Sequence, residues 1–299
     1  MRTGYNSVSK ADAIIPCALI FAFTAKIRAL EISRTMEDLD LKIFETHAHY
    51  DDEAFSQDRD ELLEGMLSPE GALDYIINVG ASLEGCKKSL EFADRYERVY
   101  AAVGIHPEEV DSLTRQDIDW IVKQASDNKK IVAIGEIGLD YHYPEPEKEV
   151  QKNWFRQQLQ AAREVKKPVI IHSREACADT LECMKRERAD ETGGVIHCYS
   201  YTKEAAEQFL DMGFFIGVGG VVTFKNARKL VETVEAVPLS RILLETDSPY
   251  MAPEPHRGTR NDSRNIAFVA EKIAQIKGVS AQEVIDTANE NARKLFFGK

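Results

Sequence analysis

The sequence LKIFETHAH, residues 41–49, is a short apolar run that ends in two histidines. Side chains at positions i and i+2 of an extended strand project from the same side, so His47 and His49 point the same way. Two imidazoles in this arrangement can bind one metal ion. The stretch therefore predicts a buried strand that carries part of a metal site at its end.

Further apolar runs follow along the chain, and amphipathic helical stretches separate them. Short buried strands that alternate with helices are typical of a parallel sheet, and eight such units indicate a TIM (β/α)8 barrel. No Pro/Gly/Ser-rich linker interrupts the series, so we predict a single α/β domain over residues 39–299. The predicted strands are Leu41–His47, Asp74–Gly80, Val99–His106, Ile131–Glu136, Pro168–His172, Gly194–His197, Phe214–Gly217 and Arg241–Asp247.

Residues 1–38 lack this pattern. The segment Ala13–Phe23 is apolar, but it is too short to span a bilayer and is interrupted by Pro16. A signal peptide is one interpretation, although no clear A-x-A cleavage site follows. Because Met36 stands immediately before the folded pattern, we expect residues 1–38 to be an N-terminal extension, either an unstructured leader or an over-extended start.

The charge and the cysteines limit the classes of function. A net charge of −12 and a pI near 5.2 argue against a broad basic surface for nucleic acid, so a polyanionic substrate has to be bound locally. The five cysteines form no CxxC pair, which suits a reducing cytoplasm. Cys198 directly follows His197, but strand alternation predicts that its side chain turns away, as a packing thiol and not a nucleophile. We expect a cytoplasmic protein.

All seven histidines fall at or beyond the end of a predicted strand, and none falls in a predicted helix. A lone histidine in such a place is more often a packed residue than a ligand. Helices occupy about a third of an average chain, however, so a random distribution would place some histidines in them. The C-terminal ends of barrel strands meet at one face, where TIM-barrel enzymes carry their active sites. This face brings together His47, His49, His106, Glu136, His172, His197 and Asp247.

These imidazoles and carboxylates predict a site for two divalent metal ions, such as Mg²⁺, Mn²⁺ or Zn²⁺. A carboxylate can bridge two ions roughly 3.5–4 Å apart, and Glu136 is the natural bridge. A suitable ion lowers the pKa of a bound water from about 15.7 toward about 7, which gives a nucleophile at neutral pH. Asp247 is the predicted proton acceptor, so Asp247 and Glu136 are the predicted catalytic residues. Arg174, Arg257 and Arg260 are candidates for phosphate contacts, with solvated loop charges as the alternative.

Six motifs, in this order, resemble the TatD family of metal-dependent deoxyribonucleases within the amidohydrolase-like barrels. They are THAHYD (46–51), VGIHP (103–107), IGEIGLDY (134–141), VIIHSR (169–174), IHCYS (196–200) and ETDSPY (245–250). The resemblance covers the chain from about Leu41 to Phe297. It implies hydrolysis of phosphodiester bonds in DNA by a metal-activated water, with trimming of single strands from the 3′ end.

The resemblance also implies a division of the ligands. His47, His49 and Asp247 would bind one ion, His172 and His197 would bind a second, Glu136 would be shared, and His106 would lie near the substrate phosphate. Two positions depart from the family pattern. Glu45 stands where the family usually has Asp, and Thr259 interrupts an Arg-Gly-Lys-Arg-Asn run, which would weaken phosphate contacts after strand eight. Neither departure is expected to touch an inferred ligand.

Two other functions stay open. A metal-dependent amidohydrolase or esterase on a small metabolite would use the same barrel and ligands. Glu136 argues against it, because it replaces the strand-four lysine that could be carbamylated. A catalytically idle metal-binding protein is the other alternative, and the complete ligand set with Asp247 argues against that one. We expect DNA as the substrate, a monomer, and no obligate protein partner or membrane.

A chain that starts at Met36 is expected to fold and to keep its activity, since the residues before it carry none of the barrel pattern. The measurement is the melting temperature and the turnover of the shortened protein beside those of the full chain. A large loss of either would show that Ala13–Phe23 packs on the barrel. A mature N-terminus found within residues 1–38 would instead support secretion.

Overall fold

A computed structural model describes residues 42–298 of the chain. Eight parallel strands pair in chain order as one sheet, from β1 with β2 to β7 with β8. They are β1 (Ile43–Ala48), β2 (Leu73–Gly80), β3 (Val99–Val103), β4 (Ile131–Asp140), β5 (Val169–Arg174), β6 (Gly194–Ile196), β7 (Phe215–Val218) and β8 (Ile242–Leu244). Nearly all of their residues are buried, as expected of parallel strands that are covered on both sides.

In the described part of the chain an α-helix follows each strand, and a further helix follows the last of these. The helices are α1 (Arg59–Met66), α2 (Leu83–Arg95), α3 (Arg115–Asp127), α4 (Lys148–Val165), α5 (Cys177–Arg186), α6 (Lys203–Asp211), α7 (Arg228–Ala236), α8 (Ile266–Lys277) and α9 (Ala281–Phe297). This alternation of eight strands with helices is the TIM barrel that the sequence predicted.

The barrel closes where the end of β1 meets the segment after β8. The Asp247 N–H donates a hydrogen bond to the carbonyl oxygen of His47 at 2.9 Å, and the His49 N–H donates to that of Ser248 at 2.7 Å. The histidine pair and Asp247 are therefore held side by side by the same main-chain bonds that close the barrel.

The end of the barrel where the strands begin is covered by the C-terminal helix α9. Phe296 packs in the core cluster together with Phe44. The ring centroid of Phe297 lies 5.3 Å from that of Phe44, 5.3 Å from that of Tyr75 and 4.7 Å from that of Tyr100. These three residues stand near the starts of β1, β2 and β3. The opposite end, where the strands finish, carries the histidines.

All eight predicted strands are present, but some of them end at other residues. Strand β4 continues to Asp140, past its predicted end at Glu136, while β8 stops at Leu244, short of Asp247. Thr246 lies beyond β8 and is still buried. Because the burial of side chains continues into the loops, hydrophobicity alone does not mark where strand pairing ends.

The predicted extension, residues 1–38, lies outside the described residues. Between residues 42 and 298 no helix combines the length and the apolar character needed to cross a membrane. Four of the five cysteines fall in this range and are free thiols: Cys86 and Cys183 are buried, whereas Cys177 and Cys198 are partly exposed.

Candidate metal centre

A cavity of about 630 Å³ opens at the end of the barrel where the strands finish. Most of the predicted site residues line it: His49, His106, Glu136, His172, Arg174, His197 and Asp247. His47 lies beneath them and is fully buried. The structure thus brings together all the ligands that the sequence predicted.

The carboxylate of Glu136 is the centre of the site. Its Oε1 lies 2.8 Å from Nδ1 of His172 and 2.9 Å from Nε2 of His197. Its Oε2 lies 3.6 Å from Nε2 of both His47 and His49. Each oxygen faces a different pair of imidazoles, which is the arrangement that a carboxylate bridging two ions needs.

Two glycines allow β4 to bring Glu136 this close to β5. A Cβ at Gly138 would lie 1.8 Å from the backbone oxygen of His172, and a Cβ at Gly135 would lie 2.5 Å from that of Ile170. Any other residue at these positions would push the two strands apart. The glycines therefore set the distance between Glu136 and His172.

Asp247 faces the histidine pair. Its Oδ1 lies 3.4 Å from Nε2 of His49 and 3.8 Å from Nε2 of His47, and these two nitrogens are 3.1 Å apart. Donor atoms within 4.8 Å of one another are offered by His47, His49 and Glu136, and also by His47, His197 and Asp247. Either set is compact enough to hold one ion.

A third compact set of donors comes from His106, Glu136 and His172. It includes His106, which the family resemblance places near the substrate phosphate and not on an ion. The hydrogen bonds on the far side of each ring help to distinguish the two roles, because they indicate which nitrogen carries the proton.

The far sides of two ligand histidines are bound by acceptors. Nδ1 of His49 lies 2.7 Å from the carbonyl oxygen of Val79, so Nδ1 carries a proton, and Nε2, which faces Glu136 and Asp247, is the nitrogen that would bind an ion. Nε2 of His172 lies 2.9 Å from Oδ2 of Asp140, which leaves Nδ1 facing Glu136. Such outer partners orient the ligand ring and select its tautomer.

His106 has the opposite arrangement. Its Nδ1 accepts a hydrogen bond from the Glu108 N–H at 3.2 Å, so the neutral ring carries its proton on Nε2, which lies 3.6 Å from Oε1 of Glu136. Burial lowers the pKa of His106 to about 3, so the ring is neutral at physiological pH. A protonated Nε2 can donate to a phosphate oxygen but cannot bind a metal ion. This favours the phosphate role over ligation.

The charges of the site fit divalent cations. Burial alone would raise the pKa of Glu136, but the neighbouring imidazoles, His197 above all, hold it well below its usual range. The pKa of Asp247 is likewise lowered against the effect of burial, mainly by its hydrogen bond with His49. Within residues 42–298, the ion-pair partners of both carboxylates are histidines. Buried carboxylates are normally paired with cationic side chains or bound to metal ions. Asp247 and Glu136 raise the pKa of His49 to about 9 against the effect of burial, so this ring carries a proton at neutral pH that a bound metal ion would displace.

Two buried carboxylates that were not predicted from the sequence support the ligands. Asp140 contacts His172 as described, and Oε1 of Glu245 lies 3.6 Å from Nδ1 of His197. The same Glu245 oxygen accepts a hydrogen bond from the Cys198 N–H at 2.5 Å. Both residues follow an apolar run in the sequence, and acidic residues are rarely fully buried without a partner. The sequence therefore indicated that these carboxylates contact other polar groups.

Glu45, the first departure from the TatD pattern, does touch a ligand, contrary to the expectation from the sequence. Its Oε1 accepts hydrogen bonds from the N–H groups of His47 at 3.1 Å and Thr246 at 3.0 Å. Its Oε2 accepts from the Thr246 hydroxyl at 2.6 Å. Burial raises the pKa of Glu45 to about 8. This carboxyl group connects β1 to the segment after β8, on which Asp247 lies.

Of the three predicted arginines, Arg174 lines the cavity. Arg257 instead stacks over the ring of Phe224, with its guanidinium carbon 4.3 Å from the ring centroid. Arg260 forms an ion pair with Asp58 at 2.6 Å. The structure does not bring Arg257 or Arg260 to the residues that line the cavity.

Cys198 is among the residues that line the cavity, and strand alternation predicted that its side chain turns away from that of His197. Strand β6 ends at Ile196, and Cys198 has a φ angle of 45°, so the alternation of a strand does not extend to it. Burial raises the pKa of its thiol to about 12, so the thiol is protonated at neutral pH. A protonated thiol is a poor nucleophile, in agreement with the role expected for it.

Comparison with known proteins agrees with this geometry. A family model described as TatD related DNase matches residues 44–297. The chain is 39% identical over 254 residues to YabD of Bacillus subtilis, an uncharacterized metal-dependent hydrolase, with 85% of this chain and 98% of that protein covered. It is 35% identical over 257 residues to YcfH of Escherichia coli K12, also an uncharacterized metal-dependent hydrolase, with 85% and 95% covered.

A solved structure shows the same relationship. The crystal structure of YJJV, a TatD homologue from Escherichia coli K12, superposes with a TM-score of 0.81 at 30% identity, covering 87% of this chain and 99% of that one. The family match spans almost the whole described barrel, and the predicted ligands converge in the cavity. The chain belongs to the TatD family and is a metal-dependent hydrolase of that family.

Proposed function

We propose that this hydrolase cleaves phosphodiester bonds in DNA and removes nucleotides from the 3′ end of single strands. The observation that carries the proposal is the position of Glu136, whose two oxygens face two separate sets of imidazoles. A pair of ions at such a site suits phosphoryl transfer, which depends mainly on positioning and on stabilising charge.

The proposed ligands divide into two groups. His47, His49 and Asp247 would hold one ion, His172 and His197 would hold the other, and Glu136 would be shared between them. When bound, the ions supply an activated water and positive charge for the phosphoryl oxygens. Sites rich in imidazole bind Mn²⁺ and Zn²⁺ more tightly than Mg²⁺, although Mg²⁺ is abundant in cells.

The carboxylate of Asp247 takes the proton from the attacking water. Its lowered pKa keeps it ionised, so that it can accept a proton at neutral pH. The main-chain bond from its N–H to His47 fixes its place beside the histidine pair.

The phosphate is bound by His106 and Arg174. The Nε2–H of His106 and the guanidinium of Arg174 donate to the non-bridging oxygens. Among the described residues that line the cavity, Arg174 is the only arginine or lysine, while Asp52 and Glu108 are among the acids nearby. These acids repel the phosphates of a long duplex, which supports the capture of one phosphodiester at a strand end. Arg257 and Arg260 stay candidates for contacts further along the strand.

The acidic surroundings of the cavity also keep a second candidate open, a metal-dependent amidohydrolase or esterase on a small metabolite. An uncharged amide or ester would not be repelled by carboxylates such as Asp52 and Glu108. An assay of the purified protein on end-labelled DNA beside a panel of amides and esters separates the two functions. The nuclease proposal requires that DNA be the better substrate.

We further propose that the enzyme works in the cytoplasm, where the four cysteines of the described residues stay reduced. We also propose that it is a monomer without an obligate partner. Light scattering on the purified protein measures the mass of the particle. A stable dimer would contradict the proposed monomer.

The Glu136→Ala change is expected to lower bound metal and turnover together, because it removes the carboxylate shared by both sets of histidines. Metal analysis and an assay on end-labelled DNA provide the measurements, and excess chelator should abolish the activity of the wild type. Glu232→Ala is the control, since Glu232 is an exposed glutamate of α7 that pairs with Arg228. Full activity in excess chelator would disprove the metal requirement.

The Asp247→Asn change is expected to keep the fold, much of the metal and most of the DNA binding. The amide oxygen can coordinate weakly but cannot accept a proton. General base catalysis is typically worth about 10²–10⁴-fold, so kcat should fall by that order. Turnover close to that of the wild type would remove Asp247 from the role of proton acceptor.

The His106→Ala and His49→Ala changes are expected to differ. His106→Ala should retain metal while KM rises or kcat falls, because its protonated Nε2 faces the phosphate. His49→Ala should lose metal, because the Nε2 of His49 faces Glu136 and Asp247 and would coordinate the ion. Metal content and steady-state kinetics of both variants distinguish the roles. Loss of metal in His106→Ala would make His106 a ligand.

A further inference from the structure

Exposed apolar side chains are concentrated at the catalytic cavity. In residues 42–298 the large hydrophobic side chains that are exposed are Tyr143 at 50%, Tyr250 at 52% and Met251 at 46%. All three line the cavity. Apolar surface that is left uncovered at one place marks a binding surface, whereas scattered exposure would need no explanation.

The two tyrosines flank the cavity from opposite sides. Tyr143 follows β4 and Tyr250 follows β8. In a ring of eight strands in chain order, β4 and β8 are four positions apart, so their ends face each other across the barrel. A phosphodiester bound in the cavity would therefore have one aromatic ring on each side.

Tyr250 is held in place although half of it is exposed. Its hydroxyl donates a hydrogen bond to Oδ2 of Asp52 at 2.7 Å, and its carbonyl oxygen accepts one from Nδ2 of Asn261 at 2.8 Å. Its N–H donates to the carbonyl oxygen of Asp247 at 2.8 Å. A ring that is ordered before the substrate arrives loses little entropy on binding, so it is a good platform for a flat ligand.

Tyr143 lies close to Arg174, which belongs to the proposed phosphate site. The guanidinium carbon of Arg174 lies 5.7 Å from the ring centroid of Tyr143, and the ring of His142 meets it edge-on at 4.9 Å. Arg174 and the ring therefore lie side by side in the lining of the cavity. A base that stacks near Tyr143 would belong to a nucleotide whose phosphate is within reach of Arg174.

We propose that Tyr143 and Tyr250 stack on the nucleobases at either side of the scissile phosphodiester and thereby select unpaired strand ends. This inference rests on the proposed nuclease function. Bases in a duplex are covered by their neighbours, whereas unpaired bases offer their faces to aromatic rings. Stacking accepts every base, so it gives preference for single strands without preference for sequence.

The test is a double-mutant cycle between ring and base. Wild type, Tyr143→Ala and Tyr250→Ala are assayed on a single strand and on the same strand with abasic residues at its two 3′-terminal positions. Each alanine change should raise KM on normal DNA by about 5- to 100-fold with little change in kcat. Replacing normal DNA by the abasic strand should raise the KM of the wild type by a similar factor. It should raise the KM of the variants much less, because they have already lost the same stack.

Two further variants separate stacking from structure. Tyr250→Phe keeps the ring without the bond to Asp52 and should retain most of the affinity. Tyr96→Ala is a matched control outside the cavity, because the Tyr96 hydroxyl also binds an aspartate, Asp60, at 2.9 Å. Its KM should equal that of the wild type. Melting temperatures of all variants detect any loss of fold.

The outcomes separate this inference from the nuclease proposal. An unchanged KM in both alanine variants would overturn the stacking role while DNA cleavage by the wild type persists. The same conclusion would follow if the alanine change raised KM by the same factor on normal and on abasic DNA. If the wild type does not cleave DNA with Mg²⁺, Mn²⁺ or Zn²⁺, the nuclease proposal and the stacking role both fail.

Discussion

The buried carboxylate of Glu136 lies between two sets of imidazoles, and the rest of the site is arranged around this contact. A carboxylate that is only 4% exposed has to be matched by positive charge, since an unpaired buried charge is costly. The imidazoles around it form hydrogen bonds through the ring nitrogens that point away from Glu136, as between His49 and the carbonyl oxygen of Val79 and between His172 and Asp140. These outer bonds orient the ring nitrogens toward the cavity, where they can share cations with Glu136.

The same constraint would let a chain with a net charge of −12 bind a polyanion such as the proposed DNA substrate. Positive charge is needed at one point, inside the barrel, and not over a surface. Around that point the cavity offers one arginine, Arg174, and two half-exposed rings, Tyr143 and Tyr250. A substrate that presents one phosphate between two flat groups fits this combination. A long duplex, with phosphates that would approach the carboxylates near the cavity, fits it less well.

The fold and the convergence of the ligands were predictable because both follow from rules that act locally. Apolar runs separated by amphipathic helices predict the strands, and parallel strands bring their ends to one face. The loops beyond those ends obey no such alternation. Cys198, in a left-handed conformation, faces the cavity, and Arg260 extends to Asp58 and not to the cavity. Glu45 accepts hydrogen bonds from Thr246, a contact between distant parts of the sequence that no local pattern encodes.

Anomalous diffraction from crystals grown with Mn²⁺ would locate the ions that Glu136 is proposed to share. We expect two peaks roughly 3.5–4 Å apart, with one oxygen of Glu136 bound to each ion. His47, His49 and Asp247 should surround one peak, and the imidazoles of β5 and β6 should bind the other. A single peak, or two ions that do not share Glu136, would contradict the account.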